Sequence, residues 1–326
     1  MDIQARVIGI VFAICAGMLF FWAIPRYVLR TRRKPAHSGG AEPASVGMGA
    51  PEPEALAPYV APPAPLEPPP IPKGKVSVYG FNLFEVVGIS LFFGFYTLLW
   101  AAGQMIETKE LSELDNLPLR LLETLLFQFF QIFLVCIFLF RRVNLVQAFG
   151  LRWRKNWWLV LFSPCVVLMM WAFMAGLEVT GYNSWIKSLV GGDAEQDAVK
   201  LLRENSDPAS LAMMAIVACI GAPLAEEVVF RGYIYPAVKR FTNIPFAVVF
   251  SGLLFGAVHG NLAALLPLTV LGVLLVLAYE YTGSLWAPIA IHFCFNAATT
   301  VVQIAVNLNP ELLEEAQKHA GLIPIW

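Results

Sequence analysis

LAALLPLTVLGVLLVLAY, residues 262–279, is an uncharged run of 18 residues. A helix crossing the hydrocarbon core of a bilayer needs about 20 such residues. In lipid every backbone N–H and C=O must be satisfied within the segment or within a closed barrel. The run shows no period-two alternation of apolar and polar side chains, so it reads as a helix and not as a barrel strand. Runs of the same kind flank it at 244–258 and 285–306. Further out lie 211–230, 157–176, 121–140, 86–103 and 7–24. Together they predict an all-α, polytopic membrane bundle of about eight transmembrane helices.

Composition agrees. The chain is 58% hydrophobic and 14% charged, against about 45–50% and 25% for soluble domains. Its mean hydropathy is +0.66. A soluble globule could not hide that much apolar side chain. The net charge of −1 gives no electrostatic footing for nucleic acid. The partners to expect are the lipid bilayer and a membrane-associated protein or peptide, with no nucleic acid. Nothing in the sequence sets an oligomeric state. The five cysteines (Cys15, Cys136, Cys165, Cys219, Cys294) lie in apolar runs and form no CxxC. They read as small buried hydrophobes, not as disulfides or a zinc ribbon.

The run at 7–24 is followed by Arg26, Arg30, Arg32, Arg33 and Lys34. A cleaved signal peptide carries its charge in front of the apolar stretch, so residues 1–34 read as an uncleaved membrane anchor. Residues 35–75 form a linker in which 35–73 hold 12 of the 23 prolines, a composition that favours extended polyproline II over a packed core. A membrane core is expected over 76–310 and a C-terminal tail over 311–326. Lys and Arg concentrate in the linker and in the loops after alternate spans, at Arg141, Arg142, Arg152, Arg154, Lys155, Lys239 and Arg240. The positive-inside rule puts those loops and the linker in the cytoplasm. In a bacterium the membrane would be the plasma membrane. Asp207 and Pro208 are expected to open a helix as N-cap and first residue.

Ionisable groups inside membrane segments cost energy and tend to mark function. Here they gather in three short stretches of the last third. In AEEVVFR, Glu227 and Arg231 lie four apart on one helix face and can pair. Glu226 points about 100° away and is left free. In FGAVH, Phe255 and His259 are four apart, and in HFCFN so are His292 and Asn296. Each stretch alone reads most simply as structure: an ion-paired stitch, a satisfied histidine, an asparagine joining helices. Depth argues otherwise. Glu226 is 14 residues before Arg240, His259 is 15 after Ile244 and Asn296 is 12 after Ser284. At 1.5 Å per residue these are about 21, 22 and 18 Å from the same membrane face.

A carboxylate, two imidazoles and an amide around one buried cavity suit amide hydrolysis. Glu226 can serve as general base on a water, with His259 holding that water or shuttling its proton. His292 and Asn296 can donate to the oxyanion that develops on the scissile carbonyl. There is no GxSxG, and Cys294 lies on a different helix face from His292 and Asn296.

These motifs are similar to the EExxxR, FxxxH and HxxxN motifs of the CPBP intramembrane proteases, the group that includes type II CAAX prenyl endopeptidases and Abi-type bacterial proteins. The resemblance covers about residues 205–300. It implies a bundle of about eight helices around a water-filled cavity and the activity of an intramembrane endopeptidase. It implies that Glu226 and His259 activate water while His292 and Asn296 stabilise the oxyanion. Glu227 and Arg231 would be a supporting ion pair and Phe255 a packing residue. No cofactor is expected on this reading. Zinc held by Glu226, His259 and His292 is the alternative, since His₂Glu is a catalytic zinc shell. A non-proteolytic scaffold or immunity protein of the same fold, and a proton-coupled transporter, are the other classes considered. The absence of repeats and of broken-helix pairs weighs against the transporter.

Overall fold

The computed structural model describes residues 3–32, 74–105, 117–152, 157–190, 200–202, 205 and 207–309. The linker over 35–73 and the tail over 311–326 lie outside the described residues. What is described is helical, with no strand among it. Helix α1 runs through Ile3–Gly17, Met18–Ala23 and Ile24–Arg32. Then come α2 (Glu85–Met105), α3 (Leu117–Leu139), the single turn α4 (Leu145–Ala148), α5 (Ser163–Val179, entered by a 3₁₀ stretch, Trp157–Phe162) and α6 (Tyr182–Val190). Helix α7 is continuous over Pro208–Phe241. Helices α8 (Ile244–Ala257), α9 (Leu262–Thr282) and α10 (Trp286–Leu308) complete the bundle. Six helices among the described residues are long and apolar enough to cross a membrane, and the apolar stretches Glu85–Leu99 and Ile244–Ala257 are shorter. The chain is a multi-pass membrane protein. Its outward side chains, among them Phe129, Phe133, Ile137, Leu161, Leu168 and Val301, are large, apolar and exposed, as a lipid-facing surface requires.

The expected boundaries need correcting at α7. The sequence reading ended that apolar span at residue 230, ahead of Arg231, Tyr233, Tyr235, Lys239 and Arg240. The helix instead continues to Phe241, since those polar groups find partners inside the bundle. Lys239, expected in a cytoplasmic loop, is wholly buried. Its Nζ donates to Glu280 Oε2 at 2.8 Å and to the Val76 carbonyl at 2.9 Å. Tyr235 donates to the same carboxylate at 2.6 Å. Arg142, also placed in a loop, pairs with the fully buried Glu85 at 2.7 Å. Asp207 caps α7 as expected, its Oδ2 accepting the Ser210 N–H at 2.9 Å.

Three helical segments widen to π turns: Met18–Ala23, Val217–Gly221 and Glu227–Ile234. Each ends two residues before a proline, at Pro25, Pro223 and Pro236. Proline lacks an N–H and crowds the carbonyl four residues back. A wider turn just ahead of the ring relieves that crowding, and lipid would leave the freed carbonyl no water to bind.

Helices α8 and α9 form a close hairpin. Gly252 and Gly256, a GxxxG pair, let α8 approach α9 at backbone distance. A Cβ on Gly252 would lie 2.6 Å from Val273 Cγ2 and 3.0 Å from the Thr269 carbonyl. One core cluster joins α1, α2, α3, α7, α8 and α9 through Cys15, Ile89, Leu139, Phe230, Phe255 and Val276. Another joins α5, α9 and α10 through Met170, Met174, Leu271 and Phe295. The polar residues lie between the two. Helix α1 packs into the first cluster, and Gln4 Oε1 accepts the Leu262 N–H at 3.3 Å.

Candidate active site

The site forms where α7, α8 and α10 meet, and its depth follows from the shortness of α8. Fourteen residues carry that helix about 21 Å. It then turns inside the bundle, through Gly260 at φ +67°, into α9. Asn261 Oδ1 caps α9 by accepting the Ala264 N–H at 2.9 Å. His259 stands in that turn. Its Nδ1 lies 2.7 Å from the Phe255 carbonyl, which can only accept, so Nδ1 carries a proton, and in the neutral ring Nε2 is the lone pair.

On α7, the π segment beginning at Glu227 sets Glu227 and Arg231 on one face. Arg231 Nη1 donates to Glu227 Oε1 at 2.8 Å and Nη2 donates to the Gly272 carbonyl at 3.1 Å. Both side chains are fully buried. The guanidinium also lies 4.4 Å from the centroid of the Phe255 ring, a cation–π contact. Glu227 Oε1 is shared a second time, with His292 Nδ1 at 2.9 Å. A carboxylate paired to arginine offers only lone pairs, so His292 bears its proton on Nδ1.

Glu226 is not part of that pair. Its side chain is 24% exposed, and Oε2 lies 3.8 Å from His292 Nε2 and 4.0 Å from His259 Nε2. These separations are too long for direct hydrogen bonds. Phe255 packs edge-on against both imidazoles, with ring centroids 5.0 Å from His259 and 5.8 Å from His292. Asn296 Nδ2 donates to the Ala218 carbonyl at 2.7 Å, which leaves its second N–H uncommitted. The structure thus brings together all seven residues singled out in the sequence. Glu226, His259, His292 and Asn296 line a cavity of about 340 Å³, while Glu227, Arg231 and Phe255 stand behind them.

The cavity extends beyond these residues. From Asn296 it runs along α10 past Thr299, Thr300 and Gln303, and across to Thr124 and Gln128 on α3. Met170, Met174, Leu268 and Phe295 give it apolar walls. Gln128 and Gln303 were not among the residues picked from the sequence. The signal was present, since each is an uncharged polar residue inside an apolar span.

Ligand atoms of a tetrahedral zinc site stand about 3.3 Å apart, from metal–ligand distances near 2.0 Å. The carboxylate-to-imidazole separations here are 3.8 and 4.0 Å. Among the described residues no three His, Cys, Asp or Glu side chains have the spacing to hold a metal ion. The residues as placed do not fit zinc.

Comparison with known proteins places the same stretch. Residues 208–298 match the family of type II CAAX prenyl endopeptidases, Rce1-like. That match contains every residue of the three motifs and bears out the family resemblance. Over 92 residues the chain is 36% identical to the membrane protein YdiL of Bacillus subtilis (strain 168), covering 28% of this chain and 38% of that one. Over 113 residues it is 35% identical to the membrane-embedded CAAX protease MroQ of Staphylococcus aureus (strain USA300), covering 33% and 44%. The chain therefore spans less than half the length of these relatives. No solved structure matches it.

Proposed function

We propose that the chain is an intramembrane endopeptidase that hydrolyses a peptide bond in a membrane-associated protein or peptide. The observation carrying this reading is Glu226: a carboxylate outside the ion pair, faced by the Nε2 atoms of His259 and His292. Two acceptors, Glu226 Oε2 and His259 Nε2, suit the two protons of one water molecule. Glu226 takes the proton as the water attacks, and His259 holds the water in line. Its Nδ1 anchor on the Phe255 carbonyl keeps the tautomer fixed.

The oxyanion needs donors. Asn296 has one N–H uncommitted. His292, with its first proton on Nδ1, donates from Nε2 only as an imidazolium. The family match and the relative described as a membrane-embedded CAAX protease support proteolysis.

The test compares the purified chain with Glu226→Gln in detergent, on a quenched peptide library, with and without a strong zinc chelator. A loss of at least about 100-fold in the variant, with no effect of chelator on the parent, is expected. Chelator sensitivity would move zinc to first place. Equal cleavage by both proteins would end the assignment of Glu226.

A further inference from the structure

We infer that Gln128 and Gln303 are substrate-binding residues that read the backbone of an extended peptide beside the scissile bond. The inference rests on the endopeptidase reading and deepens it.

Both residues line the limb of the cavity that leads away from Asn296. Gln303 is 4% exposed and Gln128 is half-buried. Each keeps one buried amide atom without a hydrogen-bond partner among the described residues: Oε1 of Gln128 and Nε2 of Gln303. One is an acceptor and the other a donor. Room for the first is built in, because a Cβ on Gly221 of α7 would collide with Gln128 Oε1. An amide buried without a partner among methionine, leucine and phenylalanine is costly. Its terminal torsion is soft, so a small rotation turns it to whatever enters the cavity.

A peptide group supplies the complement, one N–H and one C=O. The spacing suits an extended chain. Gly221 precedes Glu226 by five residues and Gln303 follows Asn296 by seven, about 7.5 and 10.5 Å along their helices. At about 3.3 Å per residue of extended peptide, Gln128 stands roughly two residues from the scissile bond and Gln303 roughly three. An isoprenoid or acyl chain in this limb would leave both amides unpaired. The limb is therefore a subsite for unwound peptide and not for a lipid tail. Its apolar walls take the alternate side chains.

The experiment uses a peptide from the quenched library that the full-length protein cleaves in detergent. Gln128→Leu and Gln303→Leu remove the amide and keep the bulk. Each is expected to lower kcat/KM about tenfold, the effect of one lost hydrogen bond, mainly through KM. Neither is expected to lower the Tm, because each removes a buried amide atom that has no partner among the described residues. The same peptide is then N-methylated at each backbone amide in turn. One position should cost the parent about tenfold and cost Gln128→Leu nothing further. Unchanged kcat/KM in both variants, or a fall in Tm that accounts for the loss, would overturn the subsite. If Glu226→Gln is inactive in that same series, the endopeptidase reading survives that outcome. Failure of the parent to cleave any library peptide counts against both.

Discussion

His292 Nδ1 and Glu227 Oε1 are 2.9 Å apart, and the same oxygen accepts Arg231 Nη1 at 2.8 Å. The two adjacent glutamates of the motif therefore have separate tasks. Glu227 is committed to holding an arginine and a histidine, and Glu226 faces the cavity.

That division predicts opposite stability phenotypes. Glu226→Gln should leave the Tm within a few degrees of the parent, because its side chain is partly exposed and unpaired. Glu227→Leu should lower it steeply, since it leaves a fully buried guanidinium uncompensated. Breaking one side of a buried pair costs about 3–5 kcal/mol. Replacing both partners, Glu227→Leu with Arg231→Met, should restore much of the Tm but no activity. Thermal unfolding in detergent measures all four proteins. A Glu227→Leu variant as stable as the parent would contradict the geometry.

Asn296 carries a kinetic prediction. Asn296→Leu removes the uncommitted N–H and should lower kcat by about 100- to 1000-fold, in the range of one lost oxyanion donor. KM should change little, because the bond strengthens in the transition state and not on binding. A KM effect alone would assign Asn296 to substrate binding.

Gly252 tests the α8–α9 hairpin that sets His259 in place. A Cβ there meets Val273 Cγ2 at 2.6 Å and the Thr269 carbonyl at 3.0 Å. Gly252→Ala should destabilise by about 1–3 kcal/mol, as overpacking does. Gly252→Leu should be worse, and both should lose activity beyond what the fall in Tm explains, through displacement of His259. Gly94 meets nothing within 4 Å at its Cβ position, so Gly94→Ala is the matched control.

Asp207 gives a pH dependence outside the membrane segments. Hydrogen bonds from Ser210, side chain first and backbone next, hold its carboxyl below the usual 3.8. A carboxyl lowered on folding stabilises the folded state above its unfolded value, and that contribution is lost as pH falls through the lowered folded value. The Tm advantage of the parent over Asp207→Ala should therefore persist at neutral pH and shrink only in strong acid. Asp207→Asn, which caps without titrating, should lack this acid-dependent step. Melting curves across pH decide it.

Much of the site was legible because polarity in an apolar span is conspicuous. Glu226, His259, His292 and Asn296 stood out against their neighbours, and helical spacing alone paired Glu227 with Arg231. Helix α6 was not legible, being only nine residues long and too short for a span. Nor was the burial of Lys239, because a lysine near a span's end reads as a solvated loop charge until Glu280 and the Val76 carbonyl are seen around it. Gln128 and Gln303 carried the same signal as Asn296 but lay outside the motifs.

The sequence by itself determined a helical membrane bundle, the placement of its apolar spans, and the small set of ionisable side chains that had to meet. Lipid permits no other backbone for uncharged runs of that length, and it penalises charges that do not find one another. Only the tertiary structure decided which atoms those side chains present. The Phe255 carbonyl and Glu227 claim Nδ1 of the two imidazoles, so both turn Nε2 toward Glu226. Glu227 reaches His292 from another helix, 65 residues away in the chain, and such a hydrogen bond leaves no trace in local spacing.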